Sequence, residues 1–147
     1  QRIDLSETVR NSLVQLTPWL LSKHLELIFE VSDQPFHVLA DPAALDIALN
    51  NLITNAANFS PEHGAITVHL SKSDGFCHLT VDDQGPGIDE SDRERLFERF
   101  YSRGTAHGAG LGLTIVNTIA MRLNGRIELA NRAEGGLRAT LSIPAGE

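Results

Sequence analysis

Apolar positions along the chain recur with two periods, one near 3.6 residues and one of 2, and these divide it into helices and strands. Leu5, Val9, Leu13, Leu16 and Leu20 are spaced for one helical stripe. They follow Asp4-Leu5-Ser6-Glu7, which has the form of a capping box with Asp4 as N-cap. Pro18 interrupts the stripe and predicts a kink or a local loosening. Leu25 to Val31 alternates and predicts a strand, and Phe36 to Ala40 a second, shorter one. Asp41-Pro42 predicts a helix start, a capping carboxylate followed by proline at the first helical position. Leu45, Leu49, Leu52 and Ala56 line its apolar stripe, and Ser60-Pro61 ends it. Ala65 to Ser71 and Phe76 to Val81 alternate around Lys72-Ser73-Asp74-Gly75, which predicts an antiparallel hairpin. Asp89 to Gly108 is charged, arginine-rich and irregular, with one short helix expected near Arg93–Phe97. Leu111 to Leu123 is patterned as a helix through Leu113, Val116, Ala120 and Leu123, and Asn124-Gly125 closes it like a glycine C-cap. Arg126 to Ala130 and Leu137 to Ile143 form a last pair of strands around Glu134-Gly135-Gly136. With no internal repeat and no low-complexity linker, helices on one face of a mostly antiparallel sheet is the simplest architecture.

Composition narrows the class. A chain of 147 residues, 41% hydrophobic and 21% charged, reads as one globular domain with a core that needs no disulfide or metal. The one cysteine, Cys77, has no internal partner, which fits a reducing compartment. A net charge of -7 argues against sequence-independent nucleic-acid binding, which relies on clustered Lys and Arg. No apolar run approaches the roughly 20 residues of a membrane span, and no signal peptide is visible. The chain opens on Gln1-Arg2-Ile3 without a methionine, which reads as an excised or processed fragment.

Candidate chemistry begins with NNLITNAANFSP, residues 50–61. At about 100° per residue, Asn51, Asn55 and Asn58 lie within roughly 60° of one another, while Asn50 projects elsewhere and reads as solvated. One reading is an ordinary polar outer face. Such faces usually draw Glu, Lys and Arg, which are better helix formers. The other is a surface offering neutral oxygens and N–H groups together, able to coordinate Mg²⁺ through a carbonyl oxygen beside phosphates. Asp82-Asp83-Gln84-Gly85-Pro86-Gly87-Ile88 follows a strand. It is either a plain tight turn or one whose missing side chains let a flat ligand approach the backbone, with a carboxylate ready to accept from an exocyclic amine. Gly108-Ala109-Gly110-Leu111-Gly112-Leu113 opens the next helix, either as a hinge or as an anion site at the helix N-terminus. It has neither the spacing nor the lysine of a P-loop, and it does not follow a strand as the dinucleotide fingerprint requires.

Taken in order, these segments resemble the ATP-binding catalytic domain of sensor histidine kinases, in the superfamily that includes DNA gyrase, Hsp90 and MutL. Leu49-x-Asn51-Leu52-Ile53-x-Asn55-Ala56 resembles the N box, and Asp83-Gln84-Gly85-Pro86-Gly87-Ile88 the G1 box. Leu96-Phe97-Glu98-Arg99-Phe100-Tyr101 resembles the F box, the Gly108–Leu113 segment the G2 box, and Gly135-Gly136 through Pro144 the closing strand motif. The resemblance covers nearly the whole chain. It implies an α/β (α+β) two-layer sandwich, the Bergerat fold: three helices over a mixed, mostly antiparallel five-stranded sheet, one domain over residues 1–147, with an ATP lid at about 89–109. It implies that Asn55 binds Mg²⁺ and that Asp83 accepts from the adenine amine. ATP is expected to meet Asn51, Asn58 and Phe59, the turn residues Gly85, Gly87 and Ile88, Tyr101, the glycine segment through Gly108, Gly110, Leu111, Gly112 and Leu113, and Thr140, where the last strand closes the base pocket. Asn51, Arg99 and Arg103 are its candidate catalytic residues.

The activity so implied is transfer of the γ-phosphoryl group of Mg-ATP to a histidine on a separate upstream dimerisation domain. A response-regulator receiver domain is the further expected partner. The resemblance points to a cytoplasmic domain of an inner-membrane sensor, homodimeric when intact and monomeric as this fragment. None of the six histidines has the H-box context of a phosphoacceptor; His24, read as lying on the first helix, is followed by Leu25-Glu26-Leu27. ATP-hydrolysing cousins carry a glutamate four residues before the metal asparagine. Asn51 stands there, and an amide cannot take a proton from water. The chain departs from the family where Asn58 replaces a usual Lys or Arg, Ser102 a usual Arg, and His107 a usual glycine. Two other readings compete: an anti-sigma-factor-type serine kinase, and a nucleotide-binding module that has lost catalysis.

Overall fold

The structure is a computed structural model that describes residues 1–32, 35–88 and 109–146. Local signals in the sequence place most of its elements. β1 (Arg2–Asp4) leads into α1 (Leu5–Ser22), where the Asp4 carboxylate accepts from the Ser6 and Glu7 amides at 3.0 and 3.3 Å. Burial raises the Asp4 carboxyl, but the hydrogen bonds from the Ser6 side chain and the two amides outweigh it and hold the group below its ordinary value. α1 runs unbroken through Pro18, and the carbonyl deprived of a partner there belongs to Val14, an exposed position. The helix ends in a Schellman motif: His24 and Leu25 N–H donate to the Leu21 and Leu20 carbonyls, each at 3.0 Å, with His24 at φ 61°. His24 therefore lies beyond the helix, not on it as the pattern suggested.

β2 (Glu26–Val31) and β3 (His37–Leu39) precede α2 (Pro42–Phe59), capped by Asp41 through the Ala43 amide at 3.0 Å. β4 (Ala65–Ser73) and β5 (Phe76–Asp82) are longer than their alternation indicated. Their turn contracts to Asp74-Gly75, both at positive φ, the conformation that a two-residue hairpin loop demands. α3 (Ala109–Arg122), β6 (Arg126–Asn131) and β7 (Leu137–Pro144) complete the described elements. At the end of α3 it is Asn124, not Gly125, that takes the left-handed position, at φ 60°. Gly125 is required for another reason: a Cβ there would run into the Ser142 carbonyl of β7.

The main sheet has the order β2-β4-β5-β7-β6, with β2 and β4 parallel and the remaining pairs antiparallel. The parallel pair is joined through α2, as a crossover must be. β3 is not in this sheet. It pairs with β1, a three-residue strand too short to show in the hydrophobic pattern. The three helices cover one face of the sheet, and Leu5, Leu20, Leu49, Leu52, Ile53, Ile66, Leu70, Leu79, Leu113 and Leu141 fill the space between at 2% exposure or less. Truncating one of these, such as Leu52→Ala, costs about 2–5 kcal/mol. This is the expected fold: three helices over a mixed, mostly antiparallel five-stranded sheet. The expected lid and its short helix near residues 93–97 fall outside the described residues.

Candidate functional site

Two segments meet the C-terminal half of α2: the turn after β5, at Phe59, and the first turn of α3, at Asn51. The asparagine face of α2 is graded, not uniform. Asn55 is buried at 5% exposure, Asn51 is half-buried and Asn58 is exposed. The Asn51 amide donates to the Ile47 carbonyl at 2.8 Å. Gly112 of α3 packs against it, so closely that a Cβ at Gly112 would stand 3.2 Å from Asn51 Oδ1. Asn50 proves to be half-buried, its amide bonded to the Asp46 carbonyl at 2.8 Å, so it is held by its own helix rather than merely solvated. Asn55 is the exception among them. Its Oδ1 is buried and has no hydrogen-bond partner among the described residues. A buried carbonyl oxygen without a donor carries a desolvation cost of about 1–3 kcal/mol, which a hard cation would offset.

The turn after β5 is fixed from several sides. Asp83 is 2% exposed, and its Oδ1 accepts from the Gly85 amide at 2.9 Å and the Leu137 amide at 3.1 Å. The Gln84 side chain accepts from the Ala65 amide at 2.8 Å, tying the turn to the start of β4. A Cβ on Gly85 would collide with the Phe59 carbonyl at the end of α2. Gly87, at φ 79°, leaves the room that Asn131 Oδ1 occupies. Both glycines are thus required by contacts within the protein, a reason that the reading of the turn as a ligand surface did not contain. Behind the turn, Arg138 makes a two-pronged bond to Asp82 at 2.8 and 2.9 Å, and this hydrogen bonding raises the Arg138 guanidinium above its ordinary value.

α3 begins at Ala109, so Gly110, Leu111 and Gly112 lie within its first turn rather than before it. Amides of a first helical turn lack intrahelical acceptors, and they sit at the positive end of the helix dipole. Leu113 is buried in the core at 2% exposure, so its side chain packs the helix down and does not face a ligand. Ile88 closes the described turn and packs against the core. Arg99, Tyr101, Arg103 and Gly108, with Ser102 and His107, lie outside the described residues.

The structure does not bring Thr140 to this site. Ala139 and Leu141 are buried on the helix-covered face, and alternation along β7 puts Thr140 on the opposite face, in register with Thr80 and Glu128. The β7 residue that reaches the site is Leu137, through its amide on Asp83. Sequence reasoning also missed Asn131 and Arg132. Asn131 bonds both the N–H and the C=O of Ile88, at 2.8 and 2.7 Å, and Arg132 donates to the Asp83 carbonyl at 2.7 Å. Their only signal was an Asn-Arg pair between an alternating strand and Gly135-Gly136.

No cluster of three or more His, Cys, Asp or Glu suited to a metal exists among the described residues. A cation here would take few protein ligands, as Mg²⁺ does, and the unpartnered Asn55 oxygen fits that role. A cavity of about 450 Å³ at the far end of α1, lined by Leu20, Leu21, Leu25, Leu27, His24 and His63, contains none of the site residues.

Comparison with known proteins gives the family and the fold. Residues 40–147 match the family model described as histidine kinase-, DNA gyrase B-, and HSP90-like ATPase. The sensor protein CreC of Escherichia coli (strain K12) is 38% identical over 144 residues, covering 96% of this chain and 30% of CreC. The mycobacterial sensor histidine kinase MprB superposes with a TM-score of 0.87 at 30% identity, over 99% of this chain and 97% of that structure. The catalytic domain of the histidine kinase ThkA gives 0.89 at 27% identity, over 99% and 95%. The chain spans less than a third of the length of the curated relatives it matches, 30% of CreC and 26% of one mycobacterial MprB. Its ordered motifs, its three helices over a mixed sheet and these likenesses have one explanation: the chain belongs to the histidine kinase-, DNA gyrase B- and HSP90-like ATPase family.

Proposed function

We propose that residues 1–147 form one unit, the catalytic and ATP-binding domain of a sensor histidine kinase, with its lid at about 89–109. It binds Mg-ATP and transfers the γ-phosphoryl group to a histidine on a separate dimerisation domain of the same protein. The observation that carries this reading is the buried, unpartnered Asn55 carbonyl oxygen on the same helix as the amide of Asn51. Asn55 would hold the cation, which when bound neutralises charge on the phosphate oxygens. Asp83, immobilised by two backbone amides, would accept from the adenine amine. The first-turn amides of α3 would meet the phosphates. Asn58 and Phe59, with Tyr101 and Gly108, would complete the pocket, and Arg99 and Arg103 would stabilise charge on the transferred group. Phosphoryl transfer asks mainly for such positioning and charge stabilisation. Asn51 cannot act as a base toward water, which favours an external acceptor over hydrolysis.

The partners follow from this reading. The intact protein would be a homodimer through its dimerisation domain and would pass the phosphoryl group to a response-regulator receiver; ThkA has been solved in complex with the response regulator protein TrrA. No helix of the described residues is long and apolar enough to cross a membrane. The placement proposed is the cytoplasmic side of an inner-membrane sensor.

The test is to mix the chain with its dimerisation segment and radiolabelled ATP. Acid-labile, base-stable label on that segment is the expected result. The exposed, uncharged Asn58 favours a second reading, a nucleotide-binding module without catalysis. Mg-ATP binding with no label transferred would decide for it.

A further inference from the structure

The end of the β6–β7 hairpin grips the turn 83–88 at both ends. On one strand, Leu137 exchanges bonds with Asp83: its amide reaches the carboxylate at 3.1 Å, and its carbonyl accepts from the Asp83 N–H at 3.0 Å. On the other strand, Asn131, the cross-strand partner of Leu137, grips Ile88. Asn131 Oδ1 accepts from the Ile88 N–H at 2.8 Å, and Asn131 Nδ2 donates to the Ile88 carbonyl at 2.7 Å. One side-chain amide thereby does the work of a neighbouring strand, satisfying both backbone groups of a residue that no strand pairs. Gly87, at φ 79°, supplies the clearance, since a Cβ there would overlap Asn131 Oδ1. Arg132 adds a bond to the Asp83 carbonyl at 2.7 Å.

We infer that Asn131 is a positioning residue for base recognition: by clamping Ile88 it fixes the turn that holds Asp83 before any nucleotide arrives. The inference rests on the nucleotide-site reading above and adds to it a residue that touches no ligand. Fixing a turn in advance removes an ordering cost from binding, and two backbone hydrogen bonds set its size at about tenfold in affinity. On that reading the turn that the clamp holds belongs to the base end of the site. It therefore affects ATP and leaves a ligand with only the phosphates untouched. Asn131 is exposed, so its truncation opens no core cavity.

The experiment measures Kd for ATP by calorimetry and for sodium tripolyphosphate by competition with a fluorescent ATP analogue, both with Mg²⁺, on the 147-residue chain. Asn131→Ala is expected to weaken ATP about tenfold and tripolyphosphate by less than about twofold. Asn131→Asp keeps the acceptor for the Ile88 N–H but turns a carboxylate oxygen toward the Ile88 carbonyl in place of the donor, and its ATP affinity is expected to fall below wild type at least as far as that of Asn131→Ala. An unchanged ATP Kd in both variants overturns the inference. So does equal weakening of the two ligands, which a general loosening of the fold would produce. Wild-type chain that binds no ATP would instead remove the site reading itself, and the clamp with it.

Discussion

Asp83 and Asn55 are both buried polar residues of the proposed site, yet they are held in opposite ways. Asp83 is bonded through its carboxylate to two backbone amides, through its own N–H to Leu137 and through its carbonyl to Arg132. Asn55 sits on a regular helix at similar burial with its side-chain oxygen unpartnered among the described residues. The first residue is finished by the fold. The second is left incomplete, and the fold carries that cost without a ligand. The difference fits the division of labour proposed above: a rigid carboxylate suits a rigid base, and an unpaired oxygen suits a cation that arrives with its own oxygen ligands.

The contrast makes opposite predictions for stability. Asp83→Ala strands the buried Leu137 amide and the part-buried Gly85 amide, so it should destabilise the domain by roughly 2–4 kcal/mol and abolish ATP binding; urea denaturation and calorimetry check both. Asp83→Asn retains an oxygen for those amides, and is expected to keep the fold while narrowing the preference for ATP over GTP. Asn55→Ala should behave inversely. Mg-ATP affinity is expected to fall by about a hundredfold or more, while stability without nucleotide stays within about 1 kcal/mol of wild type or rises, because a buried, unpartnered oxygen has been removed. A loss of stability as large as that of Asp83→Ala would erase the distinction. Asn50→Ala is the internal control on the same helix. Its amide serves the Asp46 carbonyl, so nucleotide binding should be nearly unchanged and the cost about 1 kcal/mol.

Smaller effects sharpen the same contrast at the rim. Asn58 is exposed, where a cation can be introduced without burial. Asn58→Lys is expected to tighten Mg-ATP binding a few-fold at low ionic strength, with the gain screened away in salt; a salt titration of Kd reads it directly. Asp4 is expected to affect stability alone, as the N-cap of α1. Its folded value is lowered, so the cap's contribution of about 1 kcal/mol is present above the unfolded value and is lost as pH falls through the folded one. Thermal melts of wild type and Asp4→Ala should differ near neutrality and converge in acid.

Much of the fold and of this site was legible because the residues sit at local signals: the caps Asp4 and Asp41, the stripe behind Asn55, the glycines around Asp83. Thr140 was also legible, and was misplaced. The alternation of Leu137, Ala139, Leu141 and Ile143 already assigns it to the opposite face, but resemblance to a closing-strand motif drew it into the pocket. The Asn131 clamp was not legible, since its partner Ile88 is 43 residues away and nothing local to Asn131 indicates that separation.

By itself the sequence determined the capped starts of α1 and α2, the strand faces, the order of the motifs and the residue types available for chemistry, because caps, periodicity and turn preferences act over a few neighbours. Only the tertiary structure decided which asparagine loses water without gaining a donor, why Gly85 and Gly87 admit no side chain, and what immobilises Asp83. Each of those depends on atoms brought from another strand or helix, and burial exists only once the layers have closed.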